Sequence, residues 1–514
     1  MAALPALKPE PFAQARRQFD ALEAFLESKE ACRLTHSDLE RELETRGREL
    51  LRQLLQAHLE VRGPGEAAGP VEGSDGVVRD QPRLHGRGLE TVFGEVQVER
   101  VGYGAAGVTS LHPLDAELNL PPELYSHEVR RRVADEAAKS SFDEVVQLLA
   151  ATTGAQVGKR QVEELVTRAA QDFEAFYRER AEDRPAEETG TLLVITADGK
   201  GVVMRREDLR AATRERAART THKLLKRLSR GEKRNAKRMA TVAAVYTIAP
   251  YLRTAEAVLG CLAPQHGREP PDRPRPEGKR VWASLEDTPD EVLQEAFREA
   301  RRRDPEGRKR WVALVDGNEP QLALLKRCFR AEGYPALIVL DFLHVAERVW
   351  KAGLDFHPEG SEALEAWVTQ RLLGILRGRS AYLAAGMRRS ATLHGFPAAA
   401  RVRVDACANY LLKYTAYLRY DQYLQQGLPI ATGVIEGACR YLVKDRMDRT
   451  GARWSLQGAE AVLRLRALRS SGDFDAYWRF HEQQEYLRHH AARYADGQVV
   501  PIRGRHRRHL KRVK

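Results

Sequence analysis

The sequence predicts an α/β protein in which helices flank a mixed sheet, entered through a helical and β-hairpin region. Three observations lead there. Short β-branched runs alternate with helical patterns between residues 191 and 341, as strands and helices do when they share one core. Three of those runs end in an acid, at Asp198, Asp316 and Asp341. From about 342 to 475 the apolar spacing is helical.

In chain order, residues 11–62 carry helically spaced apolar positions, as in LERELETRGRELLRQLLQAHL, and predict an N-terminal helical region over 1–62. The stretch GPGEAAGPVEGSDG (63–76) breaks it as a loop. LETVFGEVQVERVGY (89–103) alternates apolar and polar residues on both sides of Gly94, predicting a small β-hairpin within a 77–120 region. Ser141-Phe-Asp-Glu144 is a capping box opening FDEVVQLLAATT. After Gly154 comes VGKRQVEELVTRAA, with Lys159, Arg160 and Gln161 early in it. A helix, a Gly-containing turn and a basic-fronted helix form the layout of a helix-turn-helix, assigned to 121–178. An ordinary αα-hairpin has the same spacing; the basic chain tilts the reading toward DNA.

TLLVITADGKGVVM (191–204) reads as two adjacent strands meeting at Asp198-Gly199, and TVAAVYTIAPY (241–251) as a third. GREPPDRPRPEG (267–278) is a Pro-rich surface loop. Thr288-Pro-Asp-Glu291 supplies an N-cap, Pro at the first helical position and the capping acid, so a helix runs to about Arg303. RWVALVDG (310–317) is the fourth strand, LALLKRCFRAEG (322–333) a helix and PALIVLD (335–341) the fifth strand. Helices follow, with a basic tail assigned to 476–514 that ends RGRHRRHLKRVK.

Charge narrows the partners. The chain has 514 residues and a formal net charge of +12, and a pI near 9.4 is the bulk sign of a polyanion binder. Residues 205–238 hold fourteen Lys/Arg against four Asp/Glu, a balance of +10. Within them Arg227, Arg230, Lys233, Arg234 and Lys237 are candidates for a salt-sensitive, sequence-blind grip on DNA phosphates; a solvated amphipathic helix is the plainer alternative. The five cysteines, Cys32, Cys261, Cys328, Cys407 and Cys439, are scattered and form no C-x-x-C pair. They read as buried or neutral thiols of a reducing cytoplasm rather than a zinc or disulfide framework. The amino terminus lacks the apolar core of a secretory signal, and no run of about 18 apolar residues suggests a membrane span.

Acids at the ends of neighbouring strands line one sheet edge, and an oxygen-only cluster suits Mg²⁺ or Mn²⁺ rather than zinc. Each acid also has a plain explanation: Asp198-Gly199 as a hairpin turn, Asp316 and Asp341 as helix N-caps. A fourth acid, Glu436, lies in ATGVIEGACRYLVKDRMDRTGARW (431–454). In a helix it would share a face with Arg440 and Lys444, beside a phosphate backbone or as a simple ion pair.

The strand order, the ADGKG and VDGN motifs, LDFLHVAERVW, and VIEGACRYLVKDR…GARWS followed by AEAVLRLRALRSS together resemble a DDE-type bacterial insertion-sequence transposase. The likeness is to the ISKra group and, more distantly, to Mutator-like enzymes, and it covers about 80–480. It implies a ribonuclease-H-like core over 188–345 and 431–475, interrupted by a helical insertion over 346–430. It implies two divalent ions (Mg²⁺ or Mn²⁺) on Asp198, Asp316 and Glu436, with Asp341 and His344 in support. Asp341 stands as the alternative to Asp316, which is preferred because it ends the first strand after the β-β-β-α unit. The implied partners are the element's terminal inverted repeats and target DNA. A homodimer follows because two ends must be paired, with nucleoid association when DNA is bound. A ribonuclease-H-like nuclease that cuts without joining, and a non-catalytic or domesticated DNA-binding regulator, are the rival readings.

Overall fold

In a computed structural model, which describes residues 10–183, 189–219, 235–262, 273–449 and 451–503, the chain divides into two compact units. One comprises the segments up to Phe176 and from Asp473; the other is Tyr177–Gly472.

The first unit opens with α1 (Ala13–Leu26) and α2 (His36–Arg62). A two-residue pair, β1 (Val71–Glu72) and β2 (Val78–Arg79), precedes a three-stranded antiparallel sheet. In that sheet β3 (Gln81–Thr91) and β4 (Gly94–Ala105) are in register down to Thr91 opposite Gly94, and β5 (Val108–Leu111) is added at the edge. This is the expected hairpin, lengthened: alternation buries Val96 and Val98 against Leu89 and Leu114, and Gly94 takes φ +117° at the turn. After α3 (Pro113–Glu117) come α4 (His127–Ala137), α5 (Phe142–Thr152) and α6 (Lys159–Ala169), which pack on one another. Both halves of the Ser141–Glu144 capping box are formed. Helix α7 (Phe173–Asp183) leads on in sequence to the second unit.

The second unit holds a five-stranded sheet of β6 (Leu192–Val203), β7 (Lys237–Ile248), β8 (Glu277–Ser284), β9 (Arg310–Val315) and β10 (Ile338–Leu340), in the order β10-β9-β6-β7-β8. β7 runs antiparallel to β6 and β8, and β9 is parallel to β6 and β10. Two expectations are corrected here. Residues 191–204 make one strand, because Asp198 and Gly199 pair with Val242 and Thr241 in mid-ladder; a long partner strand overrides the turn preference of Asp-Gly. A strand not anticipated, β8, begins inside the Pro-rich stretch. Its Arg280 is buried yet paired with Glu295 and Glu299, so its charge hid the strand. The part of that stretch at 267–272 lies outside the described residues.

Between and after the strands lie α8 (Ala211–Ala218), α9 (Ala255–Leu262), α10 (Pro289–Arg303) and α11 (Glu319–Ala331). The Thr288 capping box that starts α10 is fully formed. Beyond β10 come α12 (Phe342–Gly353), α13 (Glu362–Leu376), α14 (Ser380–Leu393), α15 (Val402–Lys413) and α16 (Tyr420–Gln425). Helix α17 (Gly433–Ala438) runs directly into a π-helical segment, Cys439–Lys444, and α18 (Leu456–Ser471) packs on β8.

The chain then returns to the first unit with α19 (Phe474–His489). The tail expected from 476 is therefore a helix at its start, burying Tyr477, His481 and Glu485 at i, i+4 and i+8; the residues from 504 lie outside the described ones. Among the described residues no helix is long and apolar enough to cross a membrane.

Candidate functional site

Parallel strands end on the same side, so β6 and β9 deliver residues to one edge. Their last rung pairs Thr196 with Leu314, and Thr196 Oγ1 donates to Leu314 O at 3.0 Å. Two residues further along each chain stand Asp198, still within β6, and Asp316, the first residue after β9. Asp198 Oδ1 accepts from Gly199 N at 2.6 Å, and Oδ2 accepts from Cys439 Sγ at 3.3 Å. Asp316 Oδ1 accepts from Asn318 N at 3.0 Å. Asn318, not Asp316, caps α11, so the N-cap explanation fails for Asp316. Gln321, in the first turn of α11, donates to Ala197 O at 2.6 Å and ties that turn to β6 beside Asp198.

Asp341 is different: it is fully buried and does cap α12. Its Oδ2 accepts from His344 N at 3.1 Å and meets His344 Nδ1 at 2.5 Å, while Oδ1 accepts from Thr432 N at 2.9 Å. The bond to Asp341 raises the imidazole's pKa against the opposing effect of burial, and the charges of Asp341, Asp316 and Glu436 add to it. Glu436 Oε1 accepts from Thr432 Oγ1 at 3.1 Å and lies 3.9 Å from His344 Nδ1.

The π-helical winding that starts at Cys439 is the kind of local distortion often found at functional sites. It carries the Cys439 thiol to Asp198. Burial and the Asp198 carboxylate push that thiol's pKa far up, so it remains a neutral donor. The wider winding also breaks the i, i+4 spacing: Arg440 is exposed and stands 3.9 Å from Asp445 rather than on Glu436, and Lys444 is exposed. Of the other cysteines, Cys328 and Cys407 are buried, whereas Cys32 and Cys261 are exposed.

Among the described residues, two clusters bring three possible ligand atoms within 4.8 Å of one another: Asp341, His344 and Glu436, and, in the first unit, Asp172, His481 and Glu485. Asp198, Asp316 and Glu436 are not drawn that close. Asp198 and Asp341 each have both oxygens engaged, whereas among the described residues Asp316 is bonded through Oδ1 alone and Glu436 through Oε1 alone. The first-unit cluster is already neutralised by Arg130 and Arg488.

The expected DNA-contacting residues are scattered. Lys159 and Arg160 open α6 in ion pairs with Asp143 (2.7 Å) and Glu164 (3.1 Å), and Gln161 is exposed beside them. Lys237 starts β7 opposite Val203. Arg227, Arg230, Lys233 and Arg234 lie outside the described residues. Sequence reasoning missed Cys439 and Thr432, neither of which has a local signal. No protein-family model matches the chain, and no curated protein matches it.

Proposed function

We propose that the protein is a DDE-type DNA transposase, cutting the ends of a mobile element and joining the freed 3′-OH to target DNA. The observation that carries this reading is the gathering of Asp198, Asp316, Glu436 and the Asp341–His344 pair at one edge of the five-stranded sheet. A sheet in which β7 alone runs against the other four strands, with helices after β8 and β9, supports a ribonuclease-H-like core.

Asp198, Asp316 and Glu436 would hold two Mg²⁺ or Mn²⁺ ions, which supply activation of the attacking oxygen and stabilisation of the leaving oxygen. A two-ion site spans about 3.5–4 Å between its ions, so three carboxylates that serve two ions need not converge on one point. Asp341 fixes the His344 ring, and His344 in turn lies against Glu436. The three-helix packing of α4, α5 and α6 supports a DNA-reading role for the first unit, and the basic excess at 205–238 supplies a grip on phosphates. A homodimer is part of the proposal because two element ends react together.

The test is Mg²⁺- or Mn²⁺-dependent cleavage of duplexes carrying the element's own ends, with strand transfer measured on pre-cut ends. Asp198→Ala, Asp316→Ala and Glu436→Ala are each expected to lower cleavage by at least about a hundredfold. Full activity in Asp316→Ala would sink the assignment, and cleavage without joined products would mark a nuclease.

A further inference from the structure

We infer that the helical segment after β10 clamps the Asp316 loop, with Tyr410 and Tyr414 as positioning residues for that carboxylate; naming Asp316 a metal ligand rests on the function proposed above. Four tyrosine hydroxyls from this segment donate to main-chain carbonyls at the ends of the two outer parallel strands. Tyr410 bonds Asp316 O at 3.2 Å and Tyr414 bonds Gly317 O at 2.7 Å. Tyr420 bonds Leu340 O at 2.8 Å and Tyr423 bonds Ile338 O at 3.3 Å. All four tyrosines are buried.

The first pair matters most because of where the strand stops. β9 ends at Val315 and α11 begins at Glu319, so residues 316–318 belong to neither ladder nor helix. Carbonyls in such a half-buried bend take their partners from elsewhere, and the two hydroxyls supply them at consecutive residues. Gly317 shows how close the clamp sits: it has φ +97°, and a Cβ there would meet Tyr410 Oη at 3.0 Å. Tyr410 is itself held from α12, where the Arg348 guanidinium lies 4.0 Å over its ring. On the opposite side of the bend, Asp316 Oδ1 accepts from Asn318 N at 3.0 Å. Main chain and carboxylate are thus fixed together, and the direction of the Asp316 side chain depends on both hydroxyls. Ligand orientation by surrounding hydrogen bonds is a general means of tuning metal affinity.

Tyr→Phe changes remove the hydroxyls and keep the rings. In the full chain, the double variant Tyr410→Phe/Tyr414→Phe is compared with Tyr423→Phe, which loses a clamp hydroxyl two residues from the end of β10. The Asn318 amide, bonded to the Asp316 carboxylate, is followed by hydrogen exchange without metal, and Mg²⁺ is titrated into the cleavage assay. Two lost hydrogen bonds predict about tenfold faster exchange at Asn318 and about tenfold more Mg²⁺ for half-maximal cleavage. The melting temperature should fall by no more than a few degrees, and Tyr423→Phe should leave Asn318 and the Mg²⁺ midpoint unchanged. Unchanged Asn318 exchange in the double variant overturns the clamp. So does equal loosening throughout β9 and β10, which marks packing alone. An unshifted Mg²⁺ midpoint in a wild type that cleaves overturns the positioning role. A wild type that cuts no DNA with Mg²⁺ or Mn²⁺ overturns the proposed function instead, and the exchange data still decide the clamp.

Discussion

Asp316 and Asp341 close neighbouring parallel strands, yet what holds each of them assigns them different work. Asp341 is fully buried and satisfies the N–H groups of His344 and Thr432 together with the His344 ring. Removing it strands several polar partners, so Asp341→Ala should cost about 2–4 kcal/mol of stability. Asp316 is half-buried and has one local bond, to Asn318 N, so Asp316→Ala should cost under about 1 kcal/mol. Urea denaturation of the two variants checks this; equal losses would show that the geometry does not separate the two acids. Part of this difference was legible in the sequence. Asn318 followed by Pro320 in the first turn is an N-cap signal of its own, which releases Asp316 from capping. No such cap follows Asp341, whose helix starts at the next residue. The Cys439 thiol on Asp198 was not legible, because that contact spans 241 positions and depends on a π-helical turn that no local rule anticipates.

At the level of elements, α19 is tied into the first unit by charge as much as by apolar contact. Arg130 of α4 has no exposed surface; it bonds Glu485 of α19 at 2.8 Å and reaches His481 at 3.4 Å. Asp172 accepts from His481 (2.7 Å) and Arg488 (2.5 Å). Burial would raise the Glu485 pKa, but Arg130, with His481 and His489, overrides it and pulls it down to about 2. A carboxyl depressed in the folded state stabilises above its ordinary pKa, and that stability is lost as pH falls toward 2. Glu485→Gln removes the nearer counter-charge of buried Arg130 and leaves it Glu123 at 3.6 Å, and should cost about 3 kcal/mol at neutral pH. It should also flatten the acid limb of stability, read by hydrogen exchange in α4 and α19 between pH 6 and 3; an unchanged limb would refute the linkage. Elements were legible where one local signal dominates, as in the β3–β4 alternation and the capping boxes at Ser141 and Thr288. They were misread where tertiary partners decide. β7 straightens Asp198-Gly199 into a single strand, Glu295 and Glu299 neutralise Arg280 within β8, and Arg130 turns a charged C-terminal stretch into a buried helix.

For the molecule as a whole, the division of the chain makes one unit discontinuous and the other continuous. The first unit needs both the segment up to Phe176 and the segment from Asp473, whereas Tyr177–Gly472 is unbroken and has its own five-stranded sheet. Truncation after Gly472 removes Tyr477, His481 and Glu485, taking from the first unit buried core side chains and the nearer carboxylate of Arg130, so the first unit should unfold. The second should not. Tryptophan positions make this directly measurable: of the six in the chain, Trp478 alone falls in the first unit, while Trp282, Trp311, Trp350, Trp367 and Trp454 fall in the second. Fluorescence of the truncated protein therefore reports the second unit only, and its urea transition should match the corresponding transition of the full chain. Asp198, Asp316, Asp341, His344 and Glu436 all belong to that unit. A ligand that binds only the folded state stabilises it by mass action, so Mn²⁺ should move the transition upward in the truncated protein and, more weakly, in its Glu436→Ala variant. Protease should meanwhile digest residues up to 176 and spare 177–472. Loss of the tryptophan transition on truncation would mean that the two units fold only together, and an Mn²⁺ effect unchanged by Glu436→Ala would remove Glu436 from the site.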